Sequence, residues 1–188
     1  MFSSPIGMMA YAIALTVCAI WFSNCYNRLV KLKAHVDEAF AVMDVHLEKR
    51  YDLIPNLVNT VKGSAAHEEE TLTQVIEARN AAWSANSWTS RLQSENAITD
   101  ALHGLFAVAE NYPELQANKN FVKFQDQLIK IEDDIAHART YYNGTVREYN
   151  TRIKQFPTIV YAKMLKFKHR PYFEVSNSEK RNNVNVEF

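Results

Sequence analysis

The sequence predicts an all-α protein. It reads as an N-terminal transmembrane helix followed by an antiparallel up-and-down four-helix bundle with two long and two short helices. Three observations lead there. Two long rows of apolar residues recur at spacings of three and four, which puts each row on one helix face. Residues 1–27 carry no charged side chain, although the whole chain holds 21 Lys plus Arg and 21 Asp plus Glu. No segment alternates with period two, and only four glycines occur in 188 residues, so strands and tight hairpins are not indicated.

The uncharged stretch comes first. Residues 5–25 read PIGMMAYAIALTVCAIWFSNC, about the length that crosses a bilayer core as a helix. No Lys or Arg precedes it, so it lacks the basic start of a secretory signal peptide. Arg28, Lys31 and Lys33 follow at once, which by the positive-inside tendency puts the N-terminus outside and the rest in the cytoplasm. Both cysteines, Cys18 and Cys25, fall here. Seven helical residues hold them about 10 Å apart, too far for a disulfide within the chain.

The first bundle helix carries Leu29, Leu32, Val36, Ala39, Met43, Leu47, Tyr51, Ile54, Leu57 and Val61 on one face. Pro55 interrupts it. A proline there lacks the N–H that would reach the Tyr51 carbonyl, so a kink or local break is expected. Gly63 is placed to cap the helix. A second helix is expected over about 65–83, with Ala66, Leu72, Val75, Ile76 and Ala82 inward, and a loop at 85–88. A third spans about 90–111, with Leu92, Ala97, Ala101, Leu105 and Val108 inward, ending at Tyr112-Pro113. The fourth has the cleanest seam: Phe121, Phe124, Leu128, Ile131, Ile135, Ala138, Tyr142, Thr145, Tyr149, Arg152 and Phe156.

The long helices would measure about 55 Å and the short ones about 30 Å, with the long pair forming a stalk beside the membrane. The chain thus divides into a span at 5–25, a bundle at 26–156 and a tail at 157–188. That tail opens with TIVYAKMLKFKHRPYF, where Lys163, Lys166, Lys168 and Arg170 alternate with apolar side chains. Such a stretch suits either a membrane surface or a short cap on the bundle base. Residues 176–185 are polar and expected to be loose.

Chemistry-bearing patterns are sparse. Zero net charge argues against nucleic acid as a partner. His67-Glu68-Glu69-Glu70 lacks the second histidine of a zinc helix, since position 71 is Thr, and Asp134 with His137 has no second copy for a di-metal bundle. The acidic run after His67 suits a helix start. No phosphate-binding or dinucleotide loop and no nucleophile elbow occurs. No metal, cofactor or catalytic residue is therefore expected. Polar residues do gather around Pro55: Asp44, Arg50, Asp52, Asn56 and Asn59, with Arg139, Asn143 and Asn150 offered by the fourth helix. The expected role is a hydrogen-bonded network fixing helix register, in which Asn56 or Asn59 satisfies a carbonyl freed at the kink or an arginine pairs with Asp44 or Asp52.

Several blocks together resemble the LemA family of bacterial membrane-anchored helical proteins over almost the whole chain. They are Asp44-Val45-His46-Leu47, residues 50–58 (RYDLIPNLV), Thr60-Val61-Lys62-Gly63, Ala66-His67-Glu68, Glu77-Ala78-Arg79, Tyr112-Pro113-Glu114-Leu115, Ala138-Arg139, Tyr142-Asn143, Tyr149-Asn150 and Phe156-Pro157. The chain departs from the family at Ser64 and at 158–162. The resemblance implies one membrane helix before an antiparallel four-helix bundle, and it carries no active site with it. The expected function is a non-enzymatic membrane-tethered scaffold or protein-interaction module at the cytoplasmic face of a bacterial membrane. Its partners would be membrane lipids and either further copies of itself or other membrane-associated proteins. The alternative is a ligand- or metal-binding bundle enzyme using the polar groups near Pro55.

Overall fold

The computed structural model describes residues 5–65 and 68–173. Six helices account for most of them: α1 (Pro5–Lys62), α2 (Glu69–Trp83), α3 (Trp88–Ala109), α4 (Pro113–Gln116), α5 (Lys119–Lys154) and α6 (Thr158–Met164). No strand occurs among the described residues. Ala66, His67 and 176–185, for which a core position, a helix start and a loose tail are expected, lie outside them.

Two compact units result, and α1 and α5 contribute to both. Of the described residues, one comprises those up to 39 and 144–170, and the other those from 40 to 143 and from 171 to 173.

In the first unit, the N-terminal part of α1 is long and apolar enough to cross a membrane. Its most apolar window has mean hydropathy 1.9, and none of that window is buried. Past it, Leu29, Leu32, Val36 and Ala39 are buried, as are Val146, Tyr149 and Ile153 of α5 and Thr158, Tyr161 and Ala162 of α6. Each large apolar side chain so enclosed stabilises the fold by about 1.5–3 kcal/mol. A cis peptide joins Phe156 to Pro157 at the entry to α6. Phe156 does not close the α5 seam as its spacing predicts. The helix ends at Lys154, and the ring is 84% exposed.

In the second unit, every predicted face residue of α1 from Met43 to Val61 is buried. Leu72, Val75 and Ala82 of α2 are buried as expected, Ile76 is half-buried, and α2 packs against α3. The α3 register differs from expectation. Ala97 is exposed and Ala101 and Val108 are half-buried, while Glu95, Asn96, Ile98, Leu102 and Ala109 are buried. The cause is a carboxylate, Glu95, that faces inward toward Arg50, so an apolar reading of α3 selects a face rotated from the true one. The helix also begins earlier than expected, at Trp88, because the Ser87 hydroxyl caps it by accepting from the Ser90 N–H at 3.1 Å. Pro113 opens the extra short helix α4, whose Leu115 is buried.

Pro55 does not break α1, which runs through it to Lys62. Gly63 lies just past the helix end but supplies no left-handed cap, since no described glycine has positive φ. The Ser64 and Ala65 N–H groups close the end instead, donating to the Val61 carbonyl at 3.0 and 2.8 Å.

Candidate functional site

The polar groups of the second unit converge on Arg50. Its side chain is fully buried on α1. One terminal nitrogen donates to the Thr99 hydroxyl at 3.0 Å and to Glu132 of α5, and the other donates to the Glu95 carboxylate of α3. The Tyr51 hydroxyl donates to the second Glu95 oxygen. The Thr99 hydroxyl in turn donates to Glu132 at 3.1 Å. Arg91 of α3 pairs with Asp44 and lies 5.7 Å from the centre of the Phe40 ring. One cluster of opposite charges thus ties α1, α3 and α5.

Burial sets its electrostatics. It pushes the Glu95 carboxyl up to about 6, while the Arg50 charge pulls the other way. Arg139 of α5 is held below the ordinary arginine range by burial first and then by the Arg50 charge. Its guanidinium lies 4.2 Å from the centre of the Phe173 ring, a cation–π contact. Removing one member of such a buried pair costs about 3–5 kcal/mol, because its partner charge stays behind uncompensated.

A second arrangement surrounds Pro55. The Tyr51 carbonyl, which loses its helical partner to the proline, accepts from Arg79 Nε at 3.2 Å. Arg79 comes from α2 and also covers the Trp83 ring at 5.5 Å, and Trp83 meets the Tyr51 ring edge-on at 5.8 Å. The expected local donors act differently. Asn56 donates to the Asp52 carbonyl at 3.4 Å, and Asp52, Asn56 and Asn59 are all exposed.

Asn143 and Asn150 do not reach the Pro55 region. Each holds backbone of the C-terminal segment through both ends of its amide. Asn143 donates to the Phe173 carbonyl at 3.0 Å and accepts from the Phe173 N–H at 2.8 Å. Asn150 makes the same pair with Arg170, at 2.8 and 2.9 Å. The preceding tyrosines act alike: Tyr142 donates to the Pro171 carbonyl and Tyr149 to that of Lys168, both at 2.9 Å. Arg170 also pairs with Asp37 at 2.7 Å, whereas Lys163, Lys166 and Lys168 are exposed.

Sequence reasoning thus reached Asp44 and Arg50 but missed Tyr51, Arg79, Arg91, Glu95, Thr99 and Glu132; Arg139, expected in the network, instead stacks on Phe173 while its Nε and one terminal nitrogen are buried without a hydrogen-bond partner. Arg79 carried a usable signal, since it lies in the Glu77-Ala78-Arg79 block and a proline-freed carbonyl needs a donor. Glu95 carried none, because a lone carboxylate in a helix normally faces water.

Two open grooves of about 480 and 490 Å³ lie in this unit, one lined by Val58, Lys62, Leu72 and Ile76, the other by Lys49, Asp52, Lys130 and Asp134. The second balances two acids with two lysines, so these four side chains carry no net charge. Among the described residues no three His, Cys, Asp or Glu side chains are grouped to hold a metal.

A profile of the LemA family matches residues 39–188. The chain belongs to the LemA family. The match covers both Tyr-Asn pairs, the Arg50 cluster and the helical turn at Pro55. Among curated relatives, Protein LemA of Metamycoplasma hominis is 23% identical over 155 residues, covering 82% of this chain and 71% of its own. Magnetosome protein MamQ 2 of Paramagnetospirillum magneticum is 23% identical over 175 residues, and Magnetosome protein MamQ of Magnetospirillum gryphiswaldense 22% over 174; each match covers 79% of this chain. This LemA-family chain spans 64% of the length of those two MamQ relatives.

Proposed function

We propose that this LemA-family chain is a non-catalytic scaffold, tethered to a bacterial cytoplasmic membrane by the N-terminal part of α1. The remaining helices form an up-and-down four-helix bundle on the cytoplasmic side and present their outer faces to further copies or to other membrane proteins. The observation that carries this reading is the use made of the buried charges. Buried Arg50 pairs through its two terminal nitrogens with buried Glu95 and half-buried Glu132, and Arg79 serves a carbonyl of the backbone. These groups are engaged with one another or with backbone, which is the use of a network that holds the fold. The grooves near Pro55 are too open to desolvate a reacting group.

Basic residues Arg28, Lys31 and Lys33 directly after the span support a cytoplasmic bundle. An engineered cysteine on α5, probed in intact cells with an impermeant reagent, tests that orientation. It should stay unlabelled, and labelling reverses it. Mass measurement of the purified full chain in detergent, with mild crosslinking in membranes, tests assembly. Species above one 21.6 kDa chain are expected. A strict monomer that crosslinks to nothing overturns the scaffold reading, and a stoichiometric bound metal or metabolite overturns the non-catalytic one.

A further inference from the structure

We infer that α6 is an interfacial anchor, lying in the headgroup region of an anionic membrane leaflet beside the end of the span. The inference rests on the reading that the N-terminal part of α1 crosses the bilayer. Ring contacts set the depth of α6. Tyr161 meets Trp21 and Phe22 edge-on, at 6.4 and 5.5 Å, and Phe167 meets Tyr26 at 6.4 Å. Trp21, Phe22 and Tyr26 are the last aromatic side chains before the first charge, Arg28. Aromatic rings at that boundary mark the level where hydrocarbon gives way to headgroups. The contacts therefore hold α6 at that level.

Its two faces differ. Thr158, Tyr161 and Ala162 are buried within the unit. Facing away on α6, Val160 and Met164 lie four apart and are 63% and 66% exposed, and Phe156, two residues before the helix, is 84% exposed. That is as open as the span itself, where Ile6 is 79% exposed. A ridge of this kind needs an apolar cover, and the bilayer lies at its own level. The charges fit the same occupant. From Tyr149 to Phe173 there is no Asp or Glu, while Lys163, Lys166 and Lys168 stand exposed around the ridge and make no ion pair among the described residues. Lys166 has φ 58° and closes α6, with the Phe167 N–H reaching the Ala162 carbonyl at 2.9 Å. A lysine takes this left-handed position where glycine is usual. A basic, apolar-ridged helix presented to a cytoplasmic leaflet meets acidic phospholipid headgroups.

The test uses the full chain in nanodiscs of phosphatidylcholine with phosphatidylglycerol. Single nitroxide labels are placed at positions 15, 148 and 160 in a Cys18→Ala, Cys25→Ala background, and access to oxygen and to a water-soluble nickel chelate is read by electron paramagnetic resonance. Position 15 reports the span and position 148 the aqueous side. Position 160 is expected to lose nickel access and gain oxygen access relative to 148. If 15 reads lipid and 160 reads water, the anchor is overturned while the span stands. If 15 reads water, the span reading fails and the anchor with it. Protection of 160 from both probes, with spin–spin broadening, means a second copy covers the ridge and overturns the lipid assignment. Lys163→Glu with Lys168→Glu should return 160 toward the aqueous value. Unchanged access there overturns the part assigned to acidic headgroups.

Discussion

Glu95→Gln removes a charge from a site with no exposed surface while keeping the side-chain shape. Burial pushes the Glu95 carboxyl from 4.5 to about 6 in spite of Arg50. That rise corresponds to about 2 kcal/mol. The sign follows from proton binding. Between about pH 4.5 and 6 the folded chain holds the Glu95 proton more readily than the unfolded chain does. The contribution is fully present below the unfolded value and is lost as the pH rises through about 6. Acidification from neutrality to about pH 4.5 therefore stabilises the wild-type chain through this group, and the uncharged amide of the variant cannot respond. Thermal unfolding of both full chains in detergent, followed by far-ultraviolet circular dichroism across that range, isolates the effect, because every other carboxylate titrates in both proteins. About 2 kcal/mol in a chain of this size is about 4–8 °C in Tm. The wild type should gain that much on the variant as the pH falls. A difference that stays flat, or moves the other way, refutes the claim that burial outweighs the arginine.

Arg79→Ala should destabilise the fold by about 1–2 kcal/mol by leaving the Tyr51 carbonyl unsatisfied. In a Pro55→Ala background, where a backbone N–H returns to that carbonyl, the same change should cost much less, and a double-mutant cycle by chemical denaturation measures the coupling. Asn143→Ala removes two hydrogen bonds to Phe173, each worth about 1 kcal/mol; faster hydrogen exchange at the Phe173 amide is the expected readout. Lys166→Gly relieves a left-handed non-glycine residue and should raise stability by about 1 kcal/mol, seen as a higher Tm.

The α1 row was legible because one apolar face, with spacings of three and four, fixes a helix and its buried side together. The whole row from Leu29 to Val61 is buried, with Tyr51 filling its one gap. The α3 row failed where physics outside the pattern decided. Glu95 turns inward because Arg50 supplies its counter-charge across the core, and no local signal in α3 announces that. Phe156 failed for the opposite reason. Its spacing continues the α5 seam, but Pro157 ends the helix first, so periodicity extended a row past the backbone that supports it. Of the polar residues expected around Pro55, Arg50 and Asp44 enter ion pairs, while Asp52, Asn56 and Asn59 stay exposed and Asn143 and Asn150 hold the C-terminal segment. Which donor meets which acceptor depends on how α2 and α3 lie, and a spacing rule within α1 carries no such information.

The Tyr-Asn pairs explain why a dipeptide recurs at seven residues on α5. The segment after α6 has no regular secondary structure through Phe173, yet Phe173 is buried and Arg170 is half-buried, so its N–H and C=O groups need partners from elsewhere. An asparagine amide carries a donor and an acceptor side by side, the same pair that one residue offers in a sheet ladder. Asn143 and Asn150 each use both on a single residue, and Tyr142 and Tyr149 add a hydroxyl donor two residues earlier in the segment. Seven helical residues rise about 10.5 Å, and three residues of extended chain cover about 10 Å. The segment residues held by the two asparagines, Arg170 and Phe173, are three apart. The repeat on α5 and the spacing in the segment are thus two readings of one length. Shortening Asn to Ser keeps a donor and an acceptor but cannot present both in the plane of the amide. Lengthening it to Gln moves them outward by a methylene. Asn is the residue that fits, and the register of the segment on α5 follows from it.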